Sequence, residues 1–206
     1  LVALAWSATL PARADTPVIL VVGDSLSAAY GIPKSAGWVA LLQERLDAAG
    51  YPHQVVNASI SGETSAGGLA RLPALMRQHE PALVLIELGG NDGLRALPPA
   101  KLEQNLQKMV DIAQAGGAKP MLFAMRIPSN YGAAYTRAFE ASFDTVAKAN
   151  SIPLVPFFLA GIATDATAFQ ADGIHPTAAV QPQLLDAIWP HLLPQLAPAS
   201  KAGPAP

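Results

Sequence analysis

Five short apolar runs punctuate the chain, at residues 18–22, 54–58, 83–88, 120–124 and 154–158. Most are continuously apolar rather than alternating, the pattern of strands covered on both faces. Between them, apolar residues recur every three or four positions, as on the buried stripe of an amphipathic helix. Trp38, Leu41, Leu42 and Leu46 form one stripe, ahead of Gly50, a residue suited to a helix C-terminus. Leu69, Leu72, Leu75 and Met76 form a second stripe. Leu102, Leu106, Met109 and Ala113 form a third, ended by Gly116 and Gly117, and Phe139, Phe143 and Val146 a fourth. A closing helix is expected around Leu184, Leu185, Ile188 and Trp189, with Pro182 in its first turn and Pro190 bending or breaking it. Strand and helix thus alternate five times. The alternation predicts an α/β fold, a three-layer α/β/α sandwich around a five-stranded parallel sheet with right-handed crossovers.

Ligands of such sheets bind beyond the carboxyl ends of the strands. That rule singles out five polar segments: Gly23-Asp24-Ser25, NASISGETSAGG (57–68), GGNDGLR (89–95), MRIPSNYG (125–132) and DGIHP (172–176). All five are expected at one edge of the sheet. Ser25 there is either a nucleophile or the cap of a following helix, a role serine commonly fills. Asp172 and His175, three residues apart, allow a carboxylate to accept from one imidazole nitrogen while the other faces a hydroxyl. A neutral imidazole with a fixed tautomer serves as base and then as acid; an Asx turn before a helix is the plainer reading of the same spacing. Asn91, behind two glycines, offers a neutral N–H donor, and Gly62 a backbone N–H; both also suit ordinary turns. Asp24 is expected to hold its turn by hydrogen bonds, Asp92 to be structural, and Ser27, Ser59 and Ser61 to be loop or helix-start hydroxyls. His53, His79 and His191 do not cluster and read as surface or packing residues.

Composition narrows the classes. With 206 residues, 51% hydrophobic and 14% charged, the chain is long enough for one domain with a sizeable core. A formal charge of −2 without a clustered Lys/Arg run argues against nucleic-acid binding. The absence of cysteine excludes disulfides, thiolate catalysis and cysteine-based zinc sites. Residues 1–14 differ from the rest: an apolar run too short to span a bilayer ends in Ala12-Arg13-Ala14, the small-residue pattern of a signal-peptidase site. They are read as the remnant of a signal peptide, starting inside its apolar region. A mature start near Asp15, a periplasmic or secreted location and no stable membrane insertion follow. Residues 197–206, rich in Pro, Ala and Gly, are expected to be a disordered tail. A single domain of moderate charge is expected to act as a monomer.

The blocks GDSLS, NASISGETSAGG, GGNDGLR and DGIHP resemble, in order and spacing, those of the GDSL or SGNH hydrolase family, over Asp15 to about Leu196. MRIPSNYG and GGNDGLR look most like the bacterial multifunctional thioesterase I / lysophospholipase L1 / arylesterase subgroup. The resemblance implies a flavodoxin-like hydrolase fold and a serine hydrolase of acyl esters and thioesters, without metal or cofactor. It makes Ser25 the nucleophile, His175 the general base and Asp172 its orienting partner. The oxyanion donors would be the Ser25 N–H, the Gly62 N–H and the Asn91 side chain. Ile127, Pro128 and Tyr131, with Met125, could line a groove for the acyl chain or aryl group of a small-molecule or lipid ester. Two alternatives stay open: an exported carbohydrate O-acetyl esterase of the same family, and a non-catalytic flavodoxin-like module holding an anion at Gly23–Ser27 and a helix N-terminus.

Overall fold

A computed structural model describes residues 16–196; the signal-peptide and tail assignments lie outside them. The sheet consists of β1 (Val18–Gly23), β2 (Gln54–Asn57), β3 (Leu83–Glu87), β4 (Lys119–Phe123) and β5 (Leu154–Val155). The strands run parallel in the order β2-β1-β3-β4-β5. β1 from Ile19 onward and all of β3 are buried, which explains their unbroken apolar character.

The helices are α1 (Trp38–Ala48), α2 (Ser65–His79), α3 (Gly90–Leu94), α4 (Pro99–Ala115), α5 (Ala133–Asn150) and α6 (Gln181–Leu192). α1 packs with α6, while α4 packs against both α2 and α5, giving one helical layer on each face of the sheet. The stripes expected from the sequence are the faces that fill the core: Trp38, Leu42 and Leu46; Leu72 and Met76; Leu102, Leu106 and Met109; Phe139 and Phe143. The three-layer α/β/α sandwich is the fold. From β1 the chain first adds β2 on one side, then β3 on the other. The crevice between the β1 and β3 ends is therefore the topological switch point where such folds place their ligands.

Four local features depart from the sequence reading. No helix follows Ser25: residues 25–32 form successive turns, with Ala29 and Gly31 at φ 58° and 72°, and the first α-helix starts only at Trp38. The anion-binding alternative thereby loses the helix N-terminus it required. GGNDGLR contains a short helix, α3, where the sequence showed no helical stripe. β5 pairs through only two residues, because Pro156 follows and has no N–H to continue the ladder. Phe158 instead turns to pack on Phe123 and Trp38. Pro190 does not break α6, which runs on to Leu192, with the Leu193 N–H returning to the Trp189 carbonyl. Pro190 and Asp186, four residues earlier, both face solvent, so water can serve the carbonyl that proline leaves without a donor.

Gly89 links β3 to α3 at φ +118°, and a Cβ added there would lie 2.8 Å from the Phe143 ring. Gly89→Ala combines backbone strain with a core clash and should lower Tm by about 5–10 °C in a circular-dichroism melt.

Candidate active site

Ser25 stands immediately beyond β1 and His175 lies 150 positions later, yet His175 Nε2 is 2.8 Å from Ser25 Oγ. The other ring nitrogen, Nδ1, is 2.7 Å from Asp172 Oδ2. Asp172 Oδ1 is used differently: it accepts the Ile174 N–H at 2.9 Å and the His175 N–H at 3.0 Å, closing an Asx turn through Gly173. One carboxylate thus shapes the turn and meets the imidazole it presents. The hydrogen bonds from the His175 and Ile174 backbone and the His175 ring hold the Asp172 carboxyl down at about 2. It stays ionised near neutral pH and keeps the Nδ1 proton facing it. That tautomer leaves Nε2 free to accept the serine proton.

The segment carrying His175 is itself clamped. Phe169 and Pro176 form an antiparallel bridge, and the Gln170 N–H donates to the His175 carbonyl at 2.8 Å. Gln170 Nε2 reaches the Tyr30 carbonyl at 2.8 Å and the Pro176 carbonyl at 3.1 Å, joining this hairpin to the turns after Ser25. The Tyr30 ring lies 4.4 Å from the His175 ring.

A cavity of about 760 Å³ opens beside Ser25. Four of the five predicted segments, or their immediate neighbours, line it: Asp24 and Ser25; Asn91 and Leu94; Met125, Ile127 and Pro128; Ile174 and His175. Phe157, Leu159 and Phe169 add further apolar wall. Gly62 sits outside that lining, exposed at φ +78° on a neighbouring loop. Its carbonyl accepts from Arg95 Nη2 at 3.0 Å, and the Ile60 N–H donates to the Gly23 carbonyl at 3.0 Å, so the loop is tied to both the β1 and α3 turns. Among the described residues the N–H groups of Ser25 and Gly62 donate to no protein acceptor. Tyr131 also lies outside the cavity lining; its hydroxyl donates to the Leu94 carbonyl at 2.8 Å and its ring stacks on Tyr135.

Asp24 holds its turn by a hydrogen bond, as the sequence suggested, its Oδ1 accepting the Leu26 N–H at 3.0 Å, and Asp92 is structural. Asp92 accepts the Ser65 N–H and hydroxyl at the start of α2, at 2.8 and 2.6 Å. Glu63, beside Gly62, pairs with Arg71 at 2.9 Å. Sequence reasoning missed Arg95, Gln170 and above all Glu87. The Glu87 side chain is fully buried at the end of β3, where its Oε2 accepts the Ser27 hydroxyl at 2.5 Å and the Asp24 N–H at 3.3 Å. Burial, reinforced by the charge of Asp24, pushes the Glu87 carboxyl well above the usual range. Burial also raises Asp24, to about 6. The one available signal was register: parallel pairing puts Glu87 opposite Gly23, directly behind the Gly-Asp-Ser turn.

A model of the GDSL-like lipase/acylhydrolase family matches residues 21–181. Esterase TesA of Pseudomonas aeruginosa is 56% identical over 187 residues, covering 91% of this chain and 93% of that protein. Thioesterase 1/protease 1/lysophospholipase L1 of Escherichia coli is 46% identical over 183 residues, covering 89% of this chain and 86% of that one. Among solved structures, the psychrotrophic esterase EstA from Pseudoalteromonas sp., inhibited by monoethylphosphonate, superposes with a TM-score of 0.83 at 44% identity, covering 86% and 97% of the two chains. The chain belongs to the GDSL-like lipase/acylhydrolase family. It is an enzyme, a carboxylic ester hydrolase.

The two raised carboxyls set a pH dependence of stability. Each binds its proton more tightly folded than unfolded, so the stabilisation is full below the unfolded value near 4. It is lost as pH rises, through about 6 for Asp24 and, for Glu87, through a carboxyl value that burial holds well above the usual range. Glu87→Gln removes the ionisation while keeping an acceptor for Ser27 and Asp24. The variant and the native chain should melt together near pH 4, with the variant melting a few degrees (about 3–6 °C) higher at pH 8. A difference independent of pH would show that Glu87 is not the group responsible.

Proposed function

We propose that the chain hydrolyses esters and thioesters of medium and long acyl chains through a covalent acyl-enzyme on Ser25. The observation that carries this reading is the continuous hydrogen-bonded line from Ser25 Oγ through His175 to Asp172, at 2.8 and 2.7 Å. His175 Nε2 takes the serine proton as Oγ attacks the carbonyl, and the resulting imidazolium faces the Asp172 carboxylate. The tetrahedral oxyanion lies among the Ser25 N–H, the Gly62 N–H and the Asn91 amide, neutral donors that stabilise charge as it develops. His175 then returns the proton to the leaving alcohol or thiol. Water, deprotonated by the same nitrogen, releases the acid and restores Ser25.

The cavity beside Ser25 indicates the substrate class. Its walls from Met125, Ile127, Pro128 and Phe157 offer an acyl chain apolar surface well beyond what an acetyl group could use. Each buried methylene contributes about 0.8 kcal/mol, or roughly fourfold in binding. The names of the relatives, which include esterase, thioesterase and lysophospholipase, support the same range of leaving groups. Action outside the cytoplasm rests on the pattern of residues 1–14; among the described residues no helix is long and apolar enough to cross a membrane.

A fluorophosphonate probe followed by peptide mapping should label Ser25, and an unlabelled, folded protein would overturn the mechanism. Ser25→Ala or His175→Ala should lower turnover by about 10⁴–10⁶, and Asp172→Asn by about 10²–10⁴, because the amide can stabilise the wrong tautomer. On p-nitrophenyl esters, kcat/KM should rise about tenfold or more from acetyl to octanoyl. A preference for acetyl would point instead to the carbohydrate O-acetyl esterase.

A further inference from the structure

Asn91 is the least constrained of the three proposed donors, because it is a side chain whose two ends are nearly the same shape. An Asn amide can present either its NH₂ or its C=O to a given place, and only its neighbours decide which. At the proposed oxyanion position the wrong end would set a carbonyl oxygen against a developing negative charge. Something in the fold must therefore fix this amide.

The neighbour in place is Asp24. Asn91 Nδ2 donates to Asp24 Oδ2 at 3.0 Å, leaving the second hydrogen of the same nitrogen for the cavity that both residues line. Asp24 is only 2% exposed, and both oxygens of its carboxylate are held. Its Oδ1 accepts the Leu26 N–H at 3.0 Å, and its backbone N–H donates to Glu87. Its Oδ2 lies so near Gly90 that an added Cβ there would come to 3.3 Å. An ionised carboxylate only accepts, so it can satisfy the NH₂ end of Asn91 and repels the carbonyl end. The residue preceding the nucleophile would in this way orient a donor that arrives from the end of a different strand.

We propose that Asp24 is a positioning residue that selects which end of the Asn91 amide faces the reacting carbonyl. The proposal rests on the reading of Asn91 as an oxyanion donor. It extends that reading by making the Gly-Asp-Ser turn responsible for the electrophilic half of the site as well as for the nucleophile. Asp24→Asn is the informative change: its Oδ1 can still accept from Leu26, but the end facing Asn91 becomes an N–H donor that favours the flipped amide. Asp24→Ser can also accept from Leu26, is too short to reach Asn91, and offers no competing N–H of this kind.

The experiment is a double-mutant cycle on a neutral medium-chain p-nitrophenyl ester, using Asp24→Asn, Asn91→Ala and the two combined, with a melting curve for each protein. Asp24→Asn should lower kcat by about 10²-fold with KM changed less than about threefold, and Asn91→Ala by about 10²–10³-fold. The combined variant should lose no more than about threefold beyond the worse single variant, since both act on one group. Asp24→Ser, the alternative if Asp24→Asn fails to fold, should be the milder change in kcat and equally non-additive with Asn91→Ala. Losses that multiply in the combined variant, or an Asp24→Asn enzyme within about twofold of the native kcat, overturn the proposal while leaving the Asn91 assignment intact. A loss below about tenfold for Asn91→Ala alone overturns both.

Discussion

Parallel pairing of β1 with β3 is the constraint on which the site depends. It sets Gly23 opposite Glu87 at the carboxyl end of the sheet, so the turns that leave the two strands start side by side. One turn carries Ser25, the other Asn91, and the crevice between them is open because the neighbouring connections run to opposite faces. The buried registers Val21↔Leu85 and Val22↔Ile86 fix that arrangement. A slip of one residue would exchange the faces of every core side chain on the strand, so the register is strongly specified.

Beyond the strand ends, order is maintained mostly by side chains bonded to the backbone of another loop. Asn57 Nδ2 reaches the Ser27 carbonyl, Arg95 the Gly62 carbonyl, Gln170 the Tyr30 carbonyl, and Tyr131 and Tyr135 the Leu94 and Leu97 carbonyls. Each such contact satisfies a carbonyl that irregular backbone leaves without a partner, and each joins segments far apart in sequence. The loops therefore act as one cross-braced layer over the sheet. The donors at Ser25 and Gly62 stay unspent because the bracing uses neighbouring groups.

The sheet was legible in the sequence because strands covered on both faces read as unbroken apolar runs, and the longer helices because their stripes meet the core at 3.6-residue spacing. The line Ser25, His175, Asp172 was legible because polar residues at strand ends must converge and because the blocks that carry them resemble those of the GDSL family. What stayed hidden has physical causes too. α3 has two glycines and no stripe; it forms because Asp92 is held by Ser65 and because Gly93 lets Ile127 and Phe139 approach closely. Glu87 sits one residue before the end of an apolar run, where a charge ordinarily marks the exit to solvent, and only register shows that it faces inward. Tyr131 looked like groove lining because it shares the MRIPSNYG loop with Met125, Ile127 and Pro128 at the expected site edge. Its hydroxyl, however, finds the Leu94 carbonyl.

The two halves of the site stand on unequal foundations. Ser25 and Asn91 issue from central, fully buried strands, whereas Asp172 and His175 hang on a hairpin fastened by a single bridge between Phe169 and Pro176 and by the reach of Gln170. Regions with few buried contacts open at lower free energy than the core that supports them. Detachment of this hairpin withdraws the imidazole and its carboxylate while the Ser25 hydroxyl and the N–H groups around it stay assembled. The line from Ser25 to Asp172 can thus come apart while the sheet beneath it remains whole.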